Sequence, residues 1–171
     1  VVPPNAAWLY AWIAIHPDNT GTLFTGKVDT GTGIEIALAQ IAAEELDFPI
    51  DRLSVVMGTT SRTVDQGPSY GSRTVRYAGP QIRHAAAAGH QALLDLAAAH
   101  FKLPASQLNA KNGAVFVTTA PAQSISYGEL VAGKRLNISI GASGETFNMK
   151  VAPGAALKDP STYTVVGQSA P

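Results

Sequence analysis

The sequence predicts an α/β (α+β) fold in which a mixed sheet packs against two main helices. Two observations lead to this prediction. Residues 22–58 show the order strand, glycine turn, helix, strand, and residues 76–101 have the composition of a long helix. The chain has 171 residues, 46% of them hydrophobic, which is enough for one core.

A β-hairpin is predicted at the start of the chain. Trp8–His16 is an aromatic and β-branched run that ends at the turn-rich residues 17–21, and Thr22–Val28 follows as a second run. Ile34–Leu46 then shows apolar residues at helical spacing, with Gly31-Thr32-Gly33 before it. Leu53–Met57 is a short apolar run and completes the unit as a strand.

The second half of the chain is predicted to hold a long helix and a hairpin. Arg76–Phe101 is predicted to be a helix. Its alanine-rich centre could indicate close packing against a neighbour, but we attribute it first to the high helix propensity of alanine. Pro104–Leu108 is predicted as a turn, and Asn112-Gly113 is a hairpin signal before the strand Ala114–Thr118. Ser126–Val131 reads as a short helix.

The prediction divides the chain into an α/β domain, residues 1–131, and a connector, residues 132–171. The connector is rich in Gly, Ser and Pro. Its strand-like runs are Leu136–Ile140, Thr146–Val151 and Tyr163–Val166. The chain begins without Met or a basic segment, so we interpret it as a piece of a longer protein.

Composition excludes several classes of function. Lys+Arg 12 balances Asp+Glu 12, so no charge excess favours nucleic acid or an anionic membrane surface. The absence of cysteine excludes disulfides, thiolate zinc sites and cysteine-bound iron–sulfur clusters within this chain. The apolar runs fall short of the ~20 residues that cross a bilayer, so no membrane span is predicted.

The first candidate site is Gly26–Gly33, a strand that leads into a Gly-x-Gly turn before a helix. Backbone N–H groups at a helix N-terminus favour anions, and glycine allows a ligand close to the backbone. The alternative is a plain strand-to-helix turn with Thr32 as the helix cap. Ile36 stands where a dinucleotide-binding fingerprint needs its third glycine, and no Gly-Lys-Ser/Thr follows as in a P-loop.

The second candidate site lies in the polar segment Gly58–Thr74, which is long and irregular enough for a functional loop. Within it, Asp65–Thr74 offers small residues with backbone amides and hydroxyls, and Arg73 or Arg76 could complement a phosphate. The alternative is a solvated Ω-loop in which Ser and Thr serve as turn and cap residues.

Catalytic and metal sites are not predicted within this chain. His84 and His90 are six residues apart on the long helix, which is poor metal geometry, and His16 and His100 lie in other contexts. They are interpreted as surface or core histidines. The carboxylates near the glycine turn are explained by helix-dipole and solvent-facing roles, so no general base is assigned.

Together these segments resemble the molybdopterin-binding large subunit of the xanthine oxidase and aldehyde oxidase family. The nearest branch looks like the isoquinoline 1-oxidoreductase β-subunit and nicotinate dehydrogenase. The matching segments, which span nearly the whole chain, are Gly26–Gly33, Ala37–Leu46, Val55–Gly58, Asp65–Gly67, Gly71–Ser72, Ser126–Leu130, Lys158–Pro160 and Tyr163–Gly167.

The resemblance implies a bacterial oxidoreductase that binds a molybdenum-pterin cytosine dinucleotide and hydroxylates an N-heterocycle or aldehyde with water-derived oxygen. It implies two partners, the remainder of the large subunit and an iron–sulfur electron-transfer subunit. The family's glutamate base has no match here, so this chain is not expected to turn over alone. Either the bacterial cytoplasm or the periplasm is compatible with it.

The resemblance also indicates cofactor-binding residues. The family's glycine–glutamine–glycine contact falls on Gly31, Thr32 and Gly33, where Thr32 replaces glutamine and leaves the backbone amides as donors. The family's loop around the pterin and its phosphates falls on Tyr70, Gly71, Ser72, Arg73 and Thr74. The alternative function is a cofactor-free interaction or scaffold domain that keeps the fold.

Overall fold

Two long helices and several small sheets form the fold in a computed structural model that describes residues 2–144, 146–152 and 154–169. The strands are β1 Ile13–Ile15, β2 Gly21–Thr25, β3 Leu53–Met57, β4 Leu108–Lys111, β5 Ala114–Val117, β6 Ala120–Ser126, β7 Ala142–Ser143 and β8 Lys150–Val151. The α-helices are α1 Ile34–Leu46, α2 Gly79–Phe101 and α3 Tyr127–Val131. The mixed α/β class is confirmed.

The first sheet has the order β1-β2-β3 and is mixed. β1 and β2 form the antiparallel hairpin, and β3 pairs with β2 in parallel after the α1 crossover, with Leu23 opposite Val55. The predicted strand Trp8–His16 is too long, because Leu9–Ala11 is a 3₁₀ turn. The Leu9 N–H pairs with the Ile138 carbonyl instead of extending the hairpin.

Both main helices are present. α1 has the predicted bounds, whereas α2 begins at Gly79, three residues later than predicted, after a π-helical turn at Thr74–Ala78. Pro80 explains the difference, because it has no N–H to donate to the Arg76 carbonyl and its ring crowds that turn of a regular α-helix. In the described ranges, no helix is both long and apolar enough to cross a membrane.

The core lies where α1 and α2 pack together over the first sheet. Glycine and alanine on α2 allow this approach: a Cβ on Gly89 would lie 3.2 Å from Leu46, and one on Gly79 would lie 3.3 Å from Ile41. Ala85–Ala87 are buried as well. Close packing therefore adds to helix propensity as a reason for the alanine-rich centre.

The second sheet is the antiparallel meander β4-β5-β6, and Asn112-Gly113 forms the predicted hairpin turn between its first two strands. β6 was not predicted, since Pro121 and polar residues hide its alternation. The short helix α3 begins one residue later than predicted because Ser126 is its N-cap. Ser126 and Glu129 form a reciprocal capping box.

Residues from the 132–171 segment pack into the same core as the helices. Leu136, Ile140 and Val151 are buried in it, and β7 pairs with β8 within this segment. The strand-like run Tyr163–Val166 was wrongly predicted as extended, because the N–H groups of residues 164–166 all donate to the Glu44 carboxylate. The division at residue 131 stays a prediction.

Two other strand-like runs in this segment are also shorter than predicted. Thr146–Val151 divides into a 3₁₀ turn at residues 146–148 and β8. In Leu136–Ile140, Ser139 forms an isolated antiparallel bridge with Trp8, and the Ile140 N–H donates to the Ala7 carbonyl. This run therefore pairs with the start of the chain rather than forming a sheet of its own.

Candidate functional site

The two segments predicted as binding sites line one cavity of about 390 Å³. Five of the eight predicted residues line it: Thr32, Tyr70, Gly71, Ser72 and Thr74. They come from positions about forty residues apart and meet because the loop after β3 returns to the end of β2. The cavity walls also include Val28, Thr30 and Ser69, which lie within the predicted segments, and Ile34 and Val75, which lie just outside them.

The predicted glycines leave the backbone open at this site. Gly31 and Gly33 have φ of 85° and 71°, and no atom lies within 4 Å of where a Cβ would stand on either. Gly71 has φ 61°, with its nearest such neighbour, Arg73 Nε, at 3.9 Å. A ligand could therefore approach the main chain closely at these positions, of which Gly71 lines the cavity.

The Asp29 carboxylate accepts hydrogen bonds from backbone N–H groups that were predicted to face a ligand. Its Oδ1 accepts the N–H groups of Gly31 and Thr32, both at 2.8 Å, and its Oδ2 accepts the Glu35 N–H at 3.1 Å. These bonds, led by the one from Thr32, hold the pKa of Asp29 below its ordinary value. The alternative with Thr32 as helix cap is wrong, because Gly33 is the N-cap and lacks a capping side chain.

The Lys27 side chain connects the end of β2 to the second predicted segment, Asp65–Thr74, through hydrogen bonds. Its buried ammonium donates to the carbonyls of Gln66, Gly67 and Pro68 at 2.7, 3.0 and 3.1 Å. Burial lowers the pKa of Lys27, and the Asp65 carboxylate opposes that shift. This side chain therefore holds the loop in position through hydrogen bonds and is not among the residues that line the cavity.

Gln66 connects the same loop to the helix layer. Its Oε1 accepts the Thr25 hydroxyl at 2.6 Å and the Gly26 N–H at 2.8 Å, while its Nε2 donates to Gln81 on α2 at 2.7 Å. Gln81 in turn donates to the Met149 carbonyl at 2.8 Å. Because Gln66 and Gln81 are buried, this chain of amides fixes the loop's position.

The two segments also touch directly. The Val28 N–H donates to the Ser69 hydroxyl at 2.9 Å. A Cβ on Gly26 would stand 2.1 Å from the Val64 carbonyl oxygen, so only glycine fits between β2 and the loop. The close approach explains why a glycine follows β2 directly.

Three predicted residues, Gly31, Gly33 and Arg73, are not among those that line the cavity. The Arg73 guanidinium lies over the rings of Tyr70 and Tyr77, at 5.4 and 6.0 Å from their centroids. Ser72 has a left-handed φ of 56°, a strained conformation for a residue other than glycine. Arg76, the other predicted phosphate partner, lies over the Tyr77 ring and is not among the cavity-lining residues.

The histidines make local contacts instead of a shared site. His16 Nε2 contacts the Thr22 hydroxyl at 2.9 Å, and His90 Nε2 lies 3.1 Å from the Asp47 carboxylate. His84 Nδ1 is buried without a partner, and burial lowers the pKa of that side chain. In the part of the chain that the structure describes, no three potential metal ligands come together.

The bridging roles of Lys27 and Gln66 were not predicted, although both lie within the predicted segments and a signal existed for Lys27. Strand alternation from Leu23 through Thr25 places Lys27 on the inward side, so a lysine there needed buried acceptors. Gln66 carried no comparable signal, since its partners are distant in sequence.

The chain is similar to known proteins over almost its whole length. A family model described as the molybdopterin cofactor-binding domain matches residues 3–170. A nicotinate dehydrogenase subunit of Pseudomonas putida is 36% identical over 163 residues, which cover 95% of this chain and 13% of that protein. The beta subunit of isoquinoline 1-oxidoreductase of Brevundimonas diminuta is 29% identical over 198 residues, covering 99% of this chain and 25% of that protein.

The fold is also found among solved structures. Reconstituted CO dehydrogenase from Oligotropha carboxidovorans matches with a TM-score of 0.62 at 28% identity, covering 70% of this chain and 15% of that one. The chain thus spans a quarter or less of the length of these three proteins. The chain belongs to the molybdopterin cofactor-binding domain family of the xanthine oxidase and aldehyde oxidase proteins.

Proposed function

We propose that the cavity between residues 28–34 and 69–75 holds part of a molybdenum-pterin cytosine dinucleotide. The observation that carries this proposal is that two segments about forty residues apart in sequence line one cavity, with hydroxyl-bearing residues on both sides and Gly71 in its wall. When bound, the cofactor would supply the oxygen-transfer and electron-transfer chemistry. The chain's own contribution is to bind and orient the cofactor.

The hydroxyl groups carry most of the proposed binding. Thr32, Ser72 and Thr74 bring hydroxyls to the cavity, which can donate to phosphate or pterin oxygens. The amides of Gly31 and Thr32 already pair with Asp29 in this conformation. A cofactor phosphate would reach them only by displacing that carboxylate, so we assign them a secondary role.

We infer that the parent enzyme hydroxylates an N-heterocycle or an aldehyde. Support comes from two relatives named for nicotinate and isoquinoline, both nitrogen heterocycles. The proposed partners are the remainder of the large subunit, which would complete the cofactor cleft, and an iron–sulfur subunit to receive electrons. Because those relatives are several times longer than this chain, activity is proposed for the assembled enzyme.

Two observations favour a second candidate, a scaffold domain that no longer binds cofactor. Asp29 places a negative charge on the amides of the glycine turn, the position that a phosphate would need. Threonine at position 32 also removes the amide side chain that the family resemblance implies there.

Metal and nucleotide analysis of the full-length parent subunit, produced with its partner in a host that makes the cofactor, separates the two candidates. We expect molybdenum near one atom per subunit, and cytosine nucleotide on acid release. Absence of both would favour the scaffold. Molybdenum with another nucleotide would keep the site and correct the cofactor's form.

A further inference from the structure

A second cavity, which shares no lining residue with the first, opens beside the β1–β2 hairpin. Its volume is about 500 Å³, within the range of small-molecule sites. Its walls are β1, the corner at Ser61 and Arg62, and the segment Gly133–Leu136. The proposed cofactor site makes no use of it.

Positive charge is concentrated in this second cavity. Arg62, Lys134 and Arg135 line it, and none of the lining residues is Asp or Glu. In a chain with equal numbers of basic and acidic residues, three of the twelve Lys and Arg thus meet at one place. Across the described residues, none of the three forms an ion pair with a carboxylate.

Aromatic rings hold two of these cations in place. Arg62 Cζ lies 5.7 Å from the centroid of Phe24, and Arg135 Cζ lies 5.5 Å from that of Tyr10, and both rings line the cavity. A ring contact attracts the positive charge but provides no hydrogen-bond acceptor for the guanidinium N–H groups. Arg62 and Arg135 are exposed, and neither guanidinium donates a hydrogen bond to another described residue, so both have donors to offer a ligand.

We propose that this cavity binds a small phosphate- or carboxylate-bearing anion through Arg62, Lys134 and Arg135. Arginine forks match the paired oxygens of phosphate and carboxylate, and lysine adds a point charge. Because the cavity is lined by cations with no carboxylate to neutralise them, an anion gains attraction without displacing an internal partner. The proposal stands independently of the cofactor site.

The test is an NMR titration of the ¹⁵N-labelled 171-residue chain at low ionic strength, with inorganic pyrophosphate and, separately, citrate. We expect saturable shifts at residues 61–62 and 133–136. The double variant Arg62→Gln/Arg135→Gln should weaken binding about tenfold or more while the far-UV circular dichroism stays unchanged. Preference for pyrophosphate would identify a phosphate ligand, and preference for citrate a carboxylate.

The matched control is the double variant Arg52→Gln/Lys111→Gln, which removes the same charge from exposed residues outside the cavity. It should bind within about twofold of the wild type, since distant exposed charges are screened. Equal weakening by both double variants would overturn the proposal, as would the absence of saturable shifts or shifts confined to other surfaces.

Discussion

Asp29 shows how a single side chain shapes the candidate site. Its carboxylate accepts the N–H groups of Gly31 and Thr32 in the turn before α1 and of Glu35 in the first turn of α1. It thus acts as a helix cap from four residues before the N-cap, Gly33. The same carboxylate holds the two amides that a ligand phosphate would seek. Stability of the turn and access for a ligand are therefore opposed at this residue.

Asp29→Ala should lower the midpoint of thermal unfolding at pH 7, because three N–H groups lose their acceptor. The folded-state pKa of Asp29 is depressed, so its contribution is present above the ordinary value of 3.8 and is lost as pH falls through the folded-state pKa. The variant should consequently show less acid destabilisation than the wild type below about pH 4.

Thermal melts from about pH 2 to about pH 7 would measure both effects. The control is Asp51→Ala, at an exposed carboxylate with no side-chain hydrogen bond among the described residues. If Asp29→Ala melts like that control across the whole range, the proposed capping role is wrong.

Individual elements were predictable wherever local chemistry determines them. α1, β3 and the hairpin turn at Asn112-Gly113 follow from apolar spacing and turn residues, and the structure confirms them. Elements set by distant contacts were not predictable. The run at residues 163–166 has strand composition but donates to Glu44, and β6 forms only because β5 provides its partner.

The candidate site also has one part that the sequence predicts and another that depends on distant contacts. The glycine turn and the small-residue loop could be read from sequence, because their residue types are typical of anion sites. Where they meet, Lys27 and Gln66 form hydrogen bonds between parts of the chain about forty residues apart, which the sequence alone does not reveal. The assignment of the eight residues to a cofactor remains a prediction.

The loop that carries half of the site should depend on the buried amide of Gln66. Gln66→Leu keeps the approximate volume but leaves the Thr25 hydroxyl, the Gly26 N–H and Gln81 without their partner. We expect a loss of about 3 kcal/mol in the free energy of unfolding, measured by urea denaturation. Gln123→Leu, at an exposed position in β6, should change it by less than about 0.5 kcal/mol.

A small effect of Gln66→Leu would show that the loop is positioned by other contacts. Faster hydrogen exchange at residues 66–69 is expected in the same variant, since the loop would open more often. Hydrogen exchange at the wild-type rate at residues 66–69 would contradict the role of Gln66 in positioning the loop.

At the scale of the whole molecule, residues 158–166 are bound to both main helices. Glu44 accepts backbone N–H groups of residues 164–166, and Glu45 accepts from Arg83 and Tyr163. Lys158 adds an ion pair with Asp47 at 2.6 Å. A segment predicted as a connector is therefore held against the helix layer by charge-assisted hydrogen bonds.

Tyr163 gives this contact a pH dependence. Burial, followed by the nearby Glu45 carboxylate, raises the pKa of Tyr163 to about 12. Its contribution to stability is complete below its ordinary pKa near 10 and is lost as pH rises through about 12. Tyr163→Phe should therefore lose less stability than the wild type over that interval, measured by urea denaturation.

Tyr10→Phe is the matched control, because the Tyr10 hydroxyl has no hydrogen bond among the described residues. It should keep the wild-type alkaline loss of stability. Identical alkaline profiles for Tyr163→Phe and the wild type would show that the tail contact does not depend on the neutral phenol.

The central claim is that the cavity formed by the two glycine-rich segments holds the molybdenum-pterin. The most direct test is the molybdenum content of the full-length parent subunit with Thr32→Glu, which places a negative charge in the cavity at an exposed position. We expect loading below about a tenth of the wild type, because the added carboxylate repels the cofactor phosphates. Thr118→Glu, at an exposed position outside the cavity, should load normally. Wild-type loading by a correctly folded Thr32→Glu subunit would contradict the claim.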